Sequence, residues 1–472
     1  MAAAARPSTA PAAPGPTDDA VSARLWREDL PREHGFEPLE VRGRVPDELR
    51  GTLLRNGPGL FGLFGVPYGH PFEGDGAITA ARFDAGGVTG AARITQSAGL
   101  AEERAAGGHR FGLRVPLWRR VRNFVGGRMK NTANTSVIAW QGRVLALMEA
   151  AHPTELALSD LTTIGETDLG GVVRGAFSAH PHPVPARRAR YNFGVEYGRR
   201  SAVRLYELPD AGPAREVTRV PLARPAMIHD FAVTVRRAVF LVHPLVFDLP
   251  RLVTGAPGLA ELFAWRSGAP TEVVVVDLDA PHAVTRFEVP AFWHWHVASA
   301  RDDGDDVTID LVRYPDATSL HAFSRDGARP LTPGTLHRLT VSPGARRLTT
   351  APVCDAPCEF PQVHPDREAG DWRTVWVTAD GDRAIGAIDV TTGRIERHGF
   401  AATERCSEAV VVPKRDGGGE RDVWLLTLVY DGAADRSGVV VLDGARLADP
   451  PVASAWFDHR IPITFHGTWV PA

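Results

Sequence analysis

Thr271–Asp279 reads TEVVVVDLD, four successive valines bounded by turn-forming residues. β-Branched side chains pack well on a pleated surface and lose freedom in a helix, so so short a run with Asp279 and Pro281 behind it predicts a strand. The pattern recurs outward from it: RAVFLVHPL at 237–245, DVTIDLVRY at 306–314, GRVLALM at 142–148, TVWVTAD at 374–380, DVWLLTLVYD at 422–431 and GVVVLDG at 438–444. These runs are separated by Gly, Pro and Asp and do not alternate with amphipathic helices. The chain from Val41 onward is therefore expected to be all-β, as a barrel, a sandwich or a propeller. No WD or kelch repeat chooses among the three.

Composition agrees with a large folded core. Of 472 residues, 44% are apolar and 23% charged, which excludes a disordered chain. Length alone does not set the domain count, because barrels and propellers exceed the average domain. A formal charge of −3 provides no basic field and excludes a nucleic-acid partner. Lysine occurs only at 130 and 414, and this arginine bias, with abundant Ala, Gly and Pro, suggests a GC-rich bacterial genome. Three cysteines, Cys354, Cys358 and Cys406, are too few and odd in number for a disulfide framework, and free thiols in a reducing cytoplasm fit them. The proline-broken residues 1–20 lack the apolar core of a signal peptide and are expected to be a disordered tail before a single domain at 21–472. No run reaches the ~20 apolar residues that span a bilayer.

Ala226–Thr234, AMIHDFAVT, reads as the start of a buried strand with a histidine inside it. A buried imidazole needs a partner, and a carbonyl would satisfy a plain core histidine. Three other histidines sit in short apolar contexts: His180 in SAHPHP, His296 in FWHWHVASA and His466 in ITFHGTWVP. Spacings of 49, 67 and 170 residues rule out a finger or an HExxH helix, so only a closed fold with a central axis brings all four together.

These segments, with RNGPGLF at Arg55, FEGDGA at Phe72, NTANTSV at Asn131, CEFPQV at Cys358 and SEAVVVP at Ser407, resemble the carotenoid cleavage oxygenase family, in order from about Leu39 to the last residue. That family includes apocarotenoid oxygenases, lignostilbene dioxygenases and the retinal pigment epithelium isomerohydrolase. The resemblance implies a seven-bladed β-propeller capped by loops and short helices on one face. It implies Fe(II) held by His180, His229, His296 and His466, with Glu149, Glu359 and Glu408 orienting three of the imidazoles and His180 lacking an acidic partner. A ligand histidine commonly gives its second N–H to a carboxylate, whereas a salt bridge to arginine is the plainer use of a buried acid. In FWHWHVASA, period two puts His294 and His296 on one face, and the family pattern selects His296 although Ser299 stands where the family has Asn. The Ala-His-Pro context likewise selects His180 over His182. His70, His152, His243, His364 and His459 match no ligand context and are expected at the surface or in structural roles. Glu73 and Ala77-Ile78-Thr79 depart from the family pattern, and Gly74-Asp75-Gly76 suits a tight hairpin.

Four neutral imidazoles leave a divalent octahedral ion with its full charge and two open positions, which suits O2. The expected activity is cleavage of a conjugated C=C bond of an apolar polyene, a carotenoid or apocarotenoid, by O2 to two carbonyl products. A lignostilbene or other phenylpropanoid is the alternative substrate. In the resemblance, stilbene-cleaving members place a lysine directly before the first orienting glutamate, where this chain has Met148, with Lys130 nearby as a substitute cation. A noncatalytic ligand-binding propeller and an isomerohydrolase are the other readings; neither requires O2. His109–Gly127, HRFGLRVPLWRRVRNFVGG, sets Leu117, Val121 and Phe124 at helical spacing beside Arg119, Arg120 and Arg122. It fits a half-buried helix or reversible membrane-surface contact by a cytoplasmic protein.

Overall fold

The computed structural model describes residues 18–197, 200–248, 250–251, 255, 258–324 and 332–472. Of the tail expected over 1–20, residues 1–17 lie outside the described residues, and helix α1, Asp18–Arg27, begins within the remainder. The rest is mostly β, and every strand pair given for the described residues is antiparallel.

Thr271–Asp277 is a central strand, as its valines predict, paired on one side with Arg237–Val242 and on the other with Val284–Val289. Val273, Val274, Val275 and Val276 are all buried. Valine can be buried on both faces here because Val274 and Val276 pack in one core cluster while Val273 and Val275 pack in the next. Ala232–Val233 completes this sheet at its edge.

Other four-stranded sheets run in chain order before it. One takes Ser136–Trp140, Arg143–Leu147, Thr154–Leu156 and Thr163–Glu166. The next takes His182–Val184, Ala189–Glu196, Ala202–Pro209 and Arg215–Pro221. After it, seven strands from Trp293–Asp303 to Ile395–Gly399 form two ladders that share the 16-residue strand Arg347–Gln362. Two further sheets join the ends of the chain: Glu40–Gly43 pairs with Ala453–Trp456, and Gly51–Leu60 pairs with Gly467–Pro471. First and last segments thus hold one another, which closes the fold.

Two short helices lie between the strands Gly87–Ile94 and Ser136–Trp140. α2, Ala98–Ala106, is capped by the Ser97 side chain and ends on Gly107 in the left-handed region. α3, Leu117–Val125, lies where helical spacing predicts it, with Leu117, Val121 and Phe124 each 40–45% exposed. Leu117, Trp118, Val121, Phe124 and Val125 are all exposed, as are Met129 and the nearby Phe64 and Val66. Among the described residues no helix is long and apolar enough to cross a membrane.

The Gly74-Asp75-Gly76 hairpin does not form: Asp75 and Gly76 open the strand Asp75–Asp84. Glycine is needed at 76 for close approach instead, because a Cβ there would lie 2.2 Å from the Ala133 carbonyl oxygen.

Candidate metal centre

The four histidines meet. His180 lies with its ring centroid 4.3 Å from His229, 5.2 Å from His296 and 4.8 Å from His466. His229 and His296 present Nε2 to Nε2 at 3.4 Å. All four are at least nine-tenths buried.

Three of the four follow one rule. His180, His229 and His466 sit in irregular backbone just before the edge strands His182–Val184, Ala232–Val233 and Gly467–Pro471, each in a different sheet. AMIHDFAVT therefore enters its strand three residues after the histidine, not before it. His296 lies inside Trp293–Asp303, where the register slips between His294 and Val297 and again before Ser299. That bulge breaks period two. It sends His296 to the cluster and turns His294 away, where its Nδ1 lies 2.7 Å from His243 Nε2 in the core.

Each of the three glutamates lies beside one of the imidazoles. Glu359 Oε2 is 2.5 Å from His296 Nδ1, Glu408 Oε1 is 2.9 Å from His466 Nδ1, and Glu149 meets His229 Nδ1. Among the described residues His180 has no carboxylate on its ring, and its buried Nε2 has no hydrogen-bond partner. Glu359 also accepts from Tyr314 Oη at 2.8 Å and the Phe360 N–H. Glu408 accepts from Gln362 Nε2, Arg55 Nη1 and the Gly467 N–H. Phe360, at φ 51°, holds its ring stacked on His296 at 5.1 Å, a positive φ rare for a bulky residue and typical of a built site.

Burial favours neutral imidazoles here. It pushes the His180 pKa well down, helped by the neighbouring rings, and lowers His466 despite Glu408. At His296 burial alone would do the same, but the Glu359 carboxylate outweighs it and raises the pKa. With Nδ1–H donated to a carboxylate, the Nε2 lone pair points into the cluster. Two such lone pairs at 3.4 Å repel unless a proton or a metal ion lies between them. Donor atoms no more than 4.8 Å apart occur in two groups, His180 with His296 and His466, and Glu149 with His180 and His229. Glu149 already takes the His229 Nδ1–H, so the imidazoles are the better donor set, and they fit a metal ion.

The chain matches the retinal pigment epithelial membrane protein family over residues 28–471. It belongs to that family, the carotenoid oxygenases. Apocarotenoid-15,15'-oxygenase of Synechocystis is 31% identical over 98% of this chain and 99% of its own length. Isoeugenol monooxygenase of Pseudomonas putida is 27% identical, covering 91% and 94%. A cobalt-substituted structure of the Synechocystis oxygenase superposes with TM-score 0.88 and 29% identity, covering 96% of this chain and 98% of that one.

Several residues of this carotenoid oxygenase site were not expected from sequence. Arg55, 1% exposed, is the counter-charge of Glu408. Trp295 stands edge-on to His229 at 4.6 Å, with Phe72 and Phe465 behind it. His182, set aside as the ligand, places Nε2 2.8 Å from Asp230 Oδ1 and Nδ1 2.7 Å from Glu368 Oε1. Burial would lower its pKa, but the two carboxylates raise it to about 10. A charged residue directly after His229 in an apolar run was the available signal for this group. His70, His152, His243, His364 and His459 all make local hydrogen bonds with residues outside the cluster. Lys130 is fully occupied, 2.7 Å from Asp75, 2.8 Å from Glu103 and 3.0 Å from Tyr68 Oη.

Proposed function

We propose that this chain is an Fe(II)-dependent dioxygenase that cleaves a conjugated C=C bond of a carotenoid or apocarotenoid with O2 to give two carbonyl products. The observation that carries the reading is the convergence of His180, His229, His296 and His466, three of them aimed by Glu149, Glu359 and Glu408. Held by His180, His229, His296 and His466, Fe(II) would supply O2 activation, and four neutral imidazoles suit that chemistry better than a closed zinc site would. The residues of the chain orient the imidazoles and exclude water. Trp295, Phe72, Phe360 and Phe465 form an aromatic wall beside them. Each of the three glutamates is engaged by an imidazole, so none stands ready as an acid or base.

The sheet arrangement supports a seven-bladed propeller around this centre. His466, Glu149, His180, His229, His296, Glu359 and Glu408 lie in or next to strands of seven different antiparallel ladders of four or more strands or their halves, one residue to each, counting the shared 16-residue strand as the link between two. α2 and α3, with their loops, would cap one face. The exposed apolar side chains of α3, beside Arg119, Arg120 and Arg122, support reversible contact of 109–127 with a bilayer holding the polyene.

A phenylpropanoid, of the kind the isoeugenol relative is named for, is the second reading. It needs a group for the phenol oxygen, and the two candidates argue against it. Met148 turns its sulfur to the Ala150 N–H at 3.1 Å, and Lys130 is held between two acids. The test is metal analysis of the purified protein: one iron per chain, lost with activity in His229→Ala, is expected. Stoichiometric zinc with activity indifferent to iron would overturn the assignment.

A further inference from the structure

Three of the four clustered histidines are aimed by a carboxylate on Nδ1, and His180 is not. Its backbone N–H donates to Ser178 Oγ at 3.2 Å, and among the described residues its ring Nε2 has no hydrogen-bond partner to fix its direction. What fixes it lies two residues on.

We propose that His182 is the positioning residue for His180, keyed into a closed hydrogen-bonded circuit that locks three of the four histidine-bearing segments to one another. This rests on the reading of those histidines as metal ligands. The circuit can be followed bond by bond. His182 Nε2 donates to Asp230 Oδ1 at 2.8 Å, which joins the His180 segment to the residue after His229. Asp230 Oδ2 accepts the Val297 N–H at 2.7 Å, which joins that segment to the residue after His296. Two residues farther on, Ser299 Oγ accepts the Ala369 N–H at 3.2 Å. Glu368, next to Ala369, returns to His182 Nδ1 at 2.7 Å and closes the loop.

Chemistry explains why a histidine stands at 182. Both neighbours of its ring are carboxylate oxygens, which only accept, so both ring nitrogens donate and the ring is a planar, two-ended cationic spacer. Glutamine can donate from one end only, and asparagine at 230 cannot accept two N–H bonds on Oδ1 and another on Oδ2. Asp230 takes all three, because Phe231 N–H also donates to Oδ1 at 2.7 Å. Ser299 receives a role in the same circuit.

A buried charge between two carboxylates also stabilises a fold in general, and the same sheet contains a matched control. Arg204 lies between Glu196 and Glu216 at 2.5 and 2.6 Å, and its side chain is 14% exposed, as is that of His182. The experiment uses the full-length protein loaded with Fe(II) without oxygen, challenged with excess chelator, and follows iron release in the wild type, His182→Gln, Asp230→Asn, Glu368→Gln and Arg204→Gln. Release about 10- to 100-fold faster in His182→Gln and Asp230→Asn, the usual consequence of removing a partner outside the ligand shell, is expected, with Arg204→Gln within about twofold of wild type. If His182→Gln does not fold, Glu368→Gln decides, since it removes one end of the spacer and leaves the Asp230 bonds in place; it too must release iron faster. Wild-type release rates in the circuit variants, or equal acceleration in Arg204→Gln, would overturn the proposal while leaving the metal centre standing. A wild-type protein that takes up no iron would overturn the ligand reading and this proposal with it.

Discussion

Glu408→Gln replaces one oxygen by an NH2 group, and the consequence depends on how many donors face it. Two N–H groups, from His466 and Gln362, point at Oε1; two more, from Arg55 and Gly467, point at Oε2. A carboxamide can accept on one side only, so either orientation leaves two buried donors facing an NH2. At about 1–3 kcal/mol for each buried group left unsatisfied, the cost is about 2–6 kcal/mol. Removal of one partner from a buried ion pair, here Arg55 with Glu408, costs about 3–5 kcal/mol, which agrees. Glu149 is the comparison: its side chain is 22% exposed and His229 Nδ1 is its one close charged or polar contact among the described residues. Glu149→Gln can keep its oxygen on that N–H and turn the NH2 to water, at about 0.5–1.5 kcal/mol. For a chain of 472 residues the unfolding entropy is about 1 kcal/mol/K. Calorimetry on the metal-free proteins should therefore show Tm lowered by about 3–5 °C in Glu408→Gln and by about 1 °C in Glu149→Gln. Equal shifts would refute the donor count and its use of burial.

His70 provides a pH test: its Nδ1 accepts the Phe72 N–H and its Nε2 meets the Leu320 carbonyl, so the folded ring is neutral, and burial lowers its pKa from 6.5 to about 4. The unfolded chain takes up the proton first as pH falls, so stability present above pH 6.5 is lost towards pH 4, by about 3 kcal/mol, a slope that His70→Ala should lack in pH-dependent denaturant titrations. Trp118→Ser with Val125→Ser, at side chains 58% and 79% exposed, should leave Tm unchanged and lower binding to liposomes at least about tenfold in a flotation assay; unchanged binding would remove α3 from the membrane account. Lys130→Ala should destabilise by about 3–5 kcal/mol by stranding Asp75 and Glu103, with no change in the preference for polyene over hydroxystilbene; a lost stilbene activity would return Lys130 to the substrate site.

Much of this was legible in the chain. The valines of 271–279 predict a central strand because the β-branched run fits only there, and the helical spacing of Leu117, Val121 and Phe124 predicts α3. The four histidines and three glutamates that the structure brings together were picked out by the resemblance of their short contexts to a family, not by spacing or periodicity. What sequence periodicity missed depends on irregular backbone. Period two cannot separate His294 from His296, because the bulge that separates them is set by pairing with a strand ten residues or more away. The hairpin expected at Gly74-Asp75-Gly76 failed because glycine there answers the approach of Ala133, a contact invisible to local turn chemistry. His182 looked like a decoy for the same reason: Asp230 and Glu368, which give it a role, are 48 and 186 residues distant. How far the apolar residues of α3 stay exposed, up to 79% at Val125, is a tertiary outcome that amphipathic spacing leaves open.

The most direct measurement is product analysis by mass spectrometry after the iron-loaded protein is incubated with an apocarotenal, and in parallel with a hydroxystilbene, under 18O2. The account predicts two carbonyl fragments from the apocarotenal carrying the label, faster turnover than with the stilbene, and no product from His229→Ala. Preference for the stilbene, or an intact polyene with no oxygen consumed, would contradict it.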